Sequence, residues 1–151
     1  VGMGPMPTEE HGEVGEHLAE KGHEVGTTTG RKRRCGWLDL VALRYACTVN
    51  GVDEIALTKL DVLDGLSEIK VCTAYAVDER EIETFPSSLN VLERCTPVYE
   101  TLEGWDGVRG KKRYDDLPRN AKRYVDYISE QLNTPITLIS TGPARDETIM
   151  I

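Results

Sequence analysis

The chain has 151 residues, enough for one domain with a sizeable core. Its 39% apolar and 29% charged residues fit a soluble globular protein, and no apolar run nears the ~18 residues of a transmembrane helix. With 18 Lys and Arg against 26 Asp and Glu the net charge is −8, which argues against a general binder of nucleic acid or of an anionic membrane.

The opening VGMGPMPTEE does not begin with Met, is turn-like and lacks the basic-then-apolar layout of a signal peptide, so it reads as a start in mid-protein. Thr8 is placed to cap a first helix running to about Lys21 and stopping at Gly22. Its apolar face is thin (Val14, Leu18, Ala19), which fits a surface helix. His23–Gly36 has neither helical nor strand period and is expected as a flexible loop. Trp37–Val49 reads as a helix with apolar residues nearly all round, hence largely buried.

Glu54–Leu57 reads as a short strand buried on both faces of a parallel sheet. Ile69–Val77 alternates and returns through a charged turn, Asp78–Glu81, into Ile82–Phe85, a hairpin with a polar exterior. Pro86–Arg94 is loop-like, and Pro97–Leu102 is extended. Asp115 or Asp116 is placed to cap a helix striped by Ala121, Tyr124, Val125, Ile128 and Leu132. Ile136–Ile139 is the last expected strand, and Arg145–Ile151 gives no strong signal. With no repeat, low-complexity stretch or linker composition, residues 1–151 are expected to form a single α/β unit.

Three stretches could carry chemistry. Thr27–Arg34 (TTTGRKRR) offers guanidinium groups, hydroxyls and glycine-exposed backbone N–H groups, all donors suited to phosphate or carboxylate. The alternative is a solvated basic surface or a targeting run, but a targeting run has no need of the threonines. Thr58-Lys59-Leu60-Asp61 follows a strand, where open α/β sheets bind ligands. An Asp there can accept from both N1–H and the 2-amino group of guanine, which adenine lacks, while the Lys stem covers the base. This pattern resembles the NKxD motif of GTPases with Thr58 in the Asn position; its alternative is an ordinary turn with a capping Asp. Ser140-Thr141-Gly142-Pro143 also ends a strand and could meet the same base, or be a simple turn. Gly104–Lys112 is not a phosphate loop, because its glycine spacing is wrong and Lys112 stands where Ser or Thr is required. The four cysteines, Cys35, Cys47, Cys72 and Cys95, lack zinc spacing and read as structural thiols of a reduced, cytoplasmic compartment. His11, His17 and His23 show no ligand spacing, and no metal ligand is assigned in the chain.

Taken with GPMPTE at Gly4–Glu9, LTKLDVLDGL at Leu57–Leu66 and PVYETLEGW at Pro97–Trp105, the blocks GTTTGRKRRCGWLD at Gly26–Asp39 and ISTGP at Ile139–Pro143 resemble the adenylosuccinate synthetase family. They follow the order and approximate spacing of its C-terminal part. The resemblance implies a mostly parallel-sheet, P-loop-related GTP-binding α/β fold with a β-hairpin insertion. It implies a ligase of purine (AMP) biosynthesis in which GTP phosphorylates the 6-oxygen of IMP and the amine of L-aspartate then displaces phosphate, with Mg²⁺ required. It places Thr27, Thr28, Thr29, Gly30, Arg31, Lys32 and Arg33 in the aspartate loop, with Arg31 also on IMP and Arg33 toward the GTP phosphates. Lys59, Leu60, Asp61, Ser140, Thr141 and Gly142 match the guanine site. The family's general-base Asp, general-acid His, phosphate-binding Lys and Mg²⁺ contact belong to an N-terminal half that this chain lacks, so no catalytic residue is assigned here and the chain alone is expected to be inactive. The family further implies a homodimer, while the net charge of −8 speaks against nucleic-acid or membrane partners. A different class of function stays open, a non-catalytic guanine-nucleotide-binding module.

Overall fold

The structure, a computed structural model, describes residues 3–151. Packing divides the chain into two compact units, residues 1–42 with 70–100, and residues 43–69 with 101–151. The divisions at 42/43, 69/70 and 100/101 fall inside a helix and two strands, which is why no linker composition marks them.

In the first unit the chain enters through α1 (Glu13–Lys21), which ends at Gly22 as its sequence implies. It begins later than expected, at Gly12, because Thr8 is not a cap: its side chain is buried and its carbonyl accepts the Trp37 N–H at 3.2 Å. Trp37 is followed not by helix but by a two-residue strand, β1 (Leu38–Asp39), paired in parallel with β3 (Glu68–Val77) in the register Leu38↔Val71 and Asp39↔Cys72. Sheet pairing wins over helix propensity at these residues, and α2 (Leu40–Asn50) starts only afterwards. Nor is α2 buried all round: only Leu40 and Val41 are buried, while Tyr45 is 51% and Val49 58% exposed. Apolar composition says what a residue is able to bury, not whether a neighbour covers it.

The expected hairpin forms, but its return strand is β4 (Arg80–Ile82) and not Ile82–Phe85, because the turn closes within Asp78–Glu79; Tyr75 registers with Ile82 and Val77 with Arg80. Its turn residues Asp78 and Glu79 both take positive φ, 48° and 61°, the turn conformation that matches strand twist. The exposed residues of β4, Arg80 and Glu81, are polar as expected, but β3 is largely covered. Ile69, Val71, Cys72, Ala74 and Tyr75 are all buried, so both faces of β3 are covered, and β1, β4 and β5 (Thr96–Glu103) pair along its edges. Val41, Cys72, Tyr75, Leu92 and Cys95 form the core of this unit, with Leu92 supplied by a one-turn helix, α3 (Leu89–Leu92), inside the stretch expected as loop.

The second unit is built on a three-stranded sheet in the order β2 (Ile55–Leu57), β6 (Ile136–Ser140), β7 (Thr148–Met150). β2 runs parallel to β6, with Leu57↔Ile139, and β7 antiparallel to it. β2 is half-covered rather than buried on both faces, since it lies at the sheet edge. β7 carries no sequence signal because three residues are too short to show a period. The amphipathic helix α4 (Arg119–Leu132) buries Ala121, Tyr124, Val125 and Ile128 as its stripe requires. Pro118, not Asp115 or Asp116, stands at its N-cap; the two acids sit instead in a short 3₁₀ turn, Tyr114–Asp116. Trp105 stacks on Tyr124 at 5.2 Å between ring centroids. No helix among the described residues is long and apolar enough to cross a membrane.

Candidate functional site

The basic stretch is a tight excursion whose base is held by backbone pairing. Val25 bridges Lys32, Gly26 donates to the Arg31 carbonyl at 2.8 Å, and Arg33 donates to the Glu24 carbonyl at 2.9 Å. The tip closes with Gly30 donating to the Gly26 carbonyl at 2.8 Å, and Gly30 takes φ +64°, a conformation open to glycine at no steric cost. Below it a second bridge, Glu9↔Gly36, ties the loop to the N-terminal segment, with Glu10 N–H on the Cys35 carbonyl at 2.9 Å. A loop that lacks helical or strand period is thus pinned at two levels.

This pinning sorts the four cations. Arg34 is spent on structure: its Nε and Nη2 donate to Glu9 Oε2 at 2.8 and 2.6 Å, and its Nη1 to the Gly4 carbonyl at 2.7 Å. The Arg34 hydrogen bond, and then its charge, hold the Glu9 carboxyl below the usual carboxylate range, and Glu9 in turn raises Arg34. Arg33 forms a half-exposed pair with Glu24 at 3.0 Å. Arg31 is exposed and its guanidinium meets the soft Met3 thioether, at 3.3 Å; among the described residues no carboxylate lies within ion-pair reach of it. Thr27, Thr28, Thr29, Gly30 and Lys32 are all exposed. The loop therefore displays hydroxyls, backbone donors and at least one uncommitted guanidinium to solvent, a set suited to a carboxylate or phosphate ligand.

In the second unit the structure brings the other two stretches together. Parallel pairing of β2 with β6 puts their carboxyl ends side by side, and the Lys59 N–H donates to Ser140 Oγ at 2.7 Å. Lys59 reaches that oxygen in the left-handed region, φ +62°, a conformation that a lysine rarely adopts and that gathers at functional sites. Leu60 is buried, so its side chain anchors the 3₁₀ turn Leu60–Leu63 rather than facing a ligand. Asp61, in the first turn of that element, is half-exposed. At Gly142 a Cβ would meet the Glu147 carboxylate, which lies over it with its Oε2 accepting the Ala144 N–H at 2.9 Å, so a larger residue there would displace that carboxylate. Thr141 is completely buried: its hydroxyl donates to the Lys111 carbonyl at 2.7 Å and its N–H to the Glu147 carbonyl at 2.9 Å.

Several residues that shape these segments gave no sequence signal. Asp64 is buried, its carboxylate accepting the N–H groups of Val108 at 3.0 Å and Arg109 at 3.2 Å. In the first unit Asp39 Oδ1 accepts the Ala42 N–H at 3.0 Å, the geometry of a helix cap, while its Oδ2 accepts the Tyr75 hydroxyl. Burial, and then this hydrogen bond, push the Tyr75 phenol far above its ordinary value. Only the DG and LD spacings around these acids were visible, and such acids are usually solvated.

The sequence pattern of the adenylosuccinate synthetase family matches residues 1–149. The chain is 54% identical over 150 residues to the adenylosuccinate synthetase of Halothermothrix orenii and 57% identical over 150 residues to that of Chlorobium chlorochromatii, covering 99% of this chain in each case. It superposes with a TM-score of 0.95, at 44% identity and over its whole length, on a structure described as fully ligated adenylosuccinate synthetase from Plasmodium falciparum. It spans 35% of the length of the two relatives and 37% of that structure. The two partly parallel sheets, the donor loop and the paired strand ends are thus features of a partial chain of known fold, and the chain belongs to the adenylosuccinate synthetase family.

Proposed function

We propose that this chain supplies the aspartate-binding loop and the guanine-recognition edge of a GTP-dependent ligase that joins IMP and L-aspartate into adenylosuccinate, releasing GDP and phosphate. The observation that carries the reading is the exposed loop Thr27–Arg33, pinned at its base and presenting Arg31 without a carboxylate partner among the described residues. L-Aspartate brings two carboxylates, IMP a phosphate and GTP a triphosphate, so fixed cations and hydroxyls are the complementary donor set. In this reading Thr28 and Thr29 hold aspartate, Arg31 bridges aspartate and IMP, and Arg33 faces aspartate and the GTP phosphates. Charge developing as the phosphoryl group moves, and later leaves as phosphate, is offset by these fixed cations. Asp61 accepts the N1–H and 2-amino hydrogens of guanine, Lys59 covers the base, and the Ser140–Gly142 turn closes its edge.

The family uses Mg²⁺ in general. Among the described residues no group of three or more His, Cys, Asp or Glu is placed to hold a metal ion. A cytoplasmic homodimer is part of the same proposal, supported for the compartment by four cysteines that no disulfide joins among the described residues. The test is Arg31→Leu in a full-length enzyme carrying this chain. Loss of a guanidinium that contacts charge in the transition state should lower kcat/KM for aspartate by about a hundredfold or more, ~3 kcal/mol. A loss under threefold would refute the role given to the loop.

A further inference from the structure

We propose that the loop Gly104–Lys112 is a clamp that fixes the spacing of the guanine-recognition edge, with Asp64 and Thr141 as positioning residues that fasten it at either end; the inference rests on the guanine site proposed above. The loop looks like a failed phosphate loop in sequence, and the structure shows what it holds. Four consecutive residues grip both recognition segments. Val108 and Arg109 donate their N–H groups to the Asp64 carboxylate. Gly110 donates to the Thr141 carbonyl at 3.1 Å, and the Lys111 carbonyl accepts the Thr141 hydroxyl at 2.7 Å.

Both fastenings lie directly beside the residues expected to touch the base. The Asp64 N–H donates to the Asp61 carbonyl at 3.2 Å, so moving Asp64 moves the turn that carries Asp61. Thr141 follows Ser140, whose Oγ takes the Lys59 N–H. A closed circuit results: Asp61 to Asp64, Asp64 to Val108–Arg109, Gly110–Lys111 to Thr141, Ser140 to Lys59, and Lys59 back to Asp61 along the chain. Selection of guanine needs two hydrogen bonds to one carboxylate at once, and hydrogen bonds weaken steeply when distance or angle drifts. An edge made from two separate strand ends keeps such geometry only if something fixes their separation. Asp64 and Thr141 are both buried, the Asp64 carboxylate accepts from the loop and the Thr141 hydroxyl donates to it, so they act through it and not by contact with nucleotide.

The experiment compares Thr141→Val, Thr141→Ser and Asp64→Asn in the full-length enzyme, using GTP and ITP, which lacks the 2-amino group. Thr141→Val and Asp64→Asn should each raise KM for GTP about tenfold, as expected for loosening one or two hydrogen bonds at ~1.4 kcal/mol, and shrink the preference for GTP over ITP. KM for IMP and aspartate should stay within about twofold, and Thr141→Ser, which keeps the hydroxyl, should restore the GTP value. A fall in thermal stability or kcat with GTP KM and the GTP-to-ITP preference unchanged would overturn the clamp. Asp61→Ala separates the two ideas: if it leaves the GTP-to-ITP preference intact, the guanine site itself is wrong; if it abolishes the preference while the clamp variants do not touch it, only the clamp is wrong. Should the variants fail to accumulate, hydrogen exchange at the Val108 and Gly110 amides of the unmodified enzyme decides, since GDP should slow both and unchanged rates would refute the coupling.

Discussion

The Tyr75–Asp39 contact makes a sharp energetic prediction, because one carboxylate does two jobs. Asp39 Oδ1 caps α2 through the Ala42 N–H, and Oδ2 receives the buried Tyr75 hydroxyl. Tyr75→Phe removes one hydrogen bond to a charged acceptor and should destabilise by ~2 kcal/mol. Asp39→Ala loses a cap worth about 1 kcal/mol and strands a buried hydroxyl at a further ~2 kcal/mol, so about 3 in sum. In the double variant the stranded hydroxyl is gone, and the total should stay near ~2–3 kcal/mol rather than the additive ~5, a coupling of about 2 kcal/mol. Urea unfolding of the four proteins, followed by tyrosine fluorescence change and circular dichroism, measures this directly. Additive losses, with coupling under about 0.5 kcal/mol, would show that Asp39 and Tyr75 do not share the bond and that α2 is positioned by other contacts.

Two other consequences are open to measurement. Burial raises the Tyr75 and Tyr124 phenols well above their ordinary values, so in the unfolded chain they lose protons near pH ~10 while in the folded chain they stay neutral. The unfolded state then binds fewer protons, and stability should fall as pH rises past ~10, by up to ~1.4 kcal/mol per pH unit for each group; a pH-flat midpoint between 9 and 11 would contradict their burial. Gly36→Ala should splay the loop base, since a Cβ there runs into the Thr8 carbonyl across the Glu9↔Gly36 bridge. We expect a loss of ~2 kcal/mol or more and faster proteolysis between Gly26 and Arg34, and a variant as stable and as resistant as the original would mean that the bridge does not pin the loop.

Much of the fold was legible where one period ran long enough. The α4 stripe and the existence of the β3–β4 hairpin are read from spacing alone, and the apolar run Ile55–Leu57 points to a parallel sheet, although as an edge strand it is not buried on both faces. Elements of two to four residues, β1, β7 and α3, are too short to print a period and exist because a neighbour pairs with or covers them. Helix starts misled for a related reason. Thr8 and Asp115 are good caps by residue type, but the first is buried beside the Glu9↔Gly36 bridge and the second sits in its own 3₁₀ turn. The true cap of α2, Asp39, lies inside a stretch whose apolar neighbours read as helix already under way.

The candidate site divides along the same line. A motif shows which groups are capable of chemistry, and tertiary contacts decide which of them are free to perform it. RKRR presents four equal cations in sequence, yet Arg34 is consumed by Glu9 and the Gly4 carbonyl and Arg33 leans on Glu24, which leaves Arg31 as the guanidinium uncommitted to a carboxylate among the described residues, with Lys32 exposed beside it. In the same way Ser-Thr-Gly offers two hydroxyls in sequence, but that of Thr141 is buried and bonded to Lys111, leaving Ser140 as the hydroxyl at the strand end, already aligned by the Lys59 N–H. Asp64 was invisible for the opposite reason. An acid after a short turn looks solvated, and its value comes from a loop more than forty residues away that folds over it to satisfy the carboxylate. Residues that touch ligand are recognisable by type; residues that hold those in place are recognisable only once the chain has closed on itself, and in this chain the second kind sets how many of the first kind remain available.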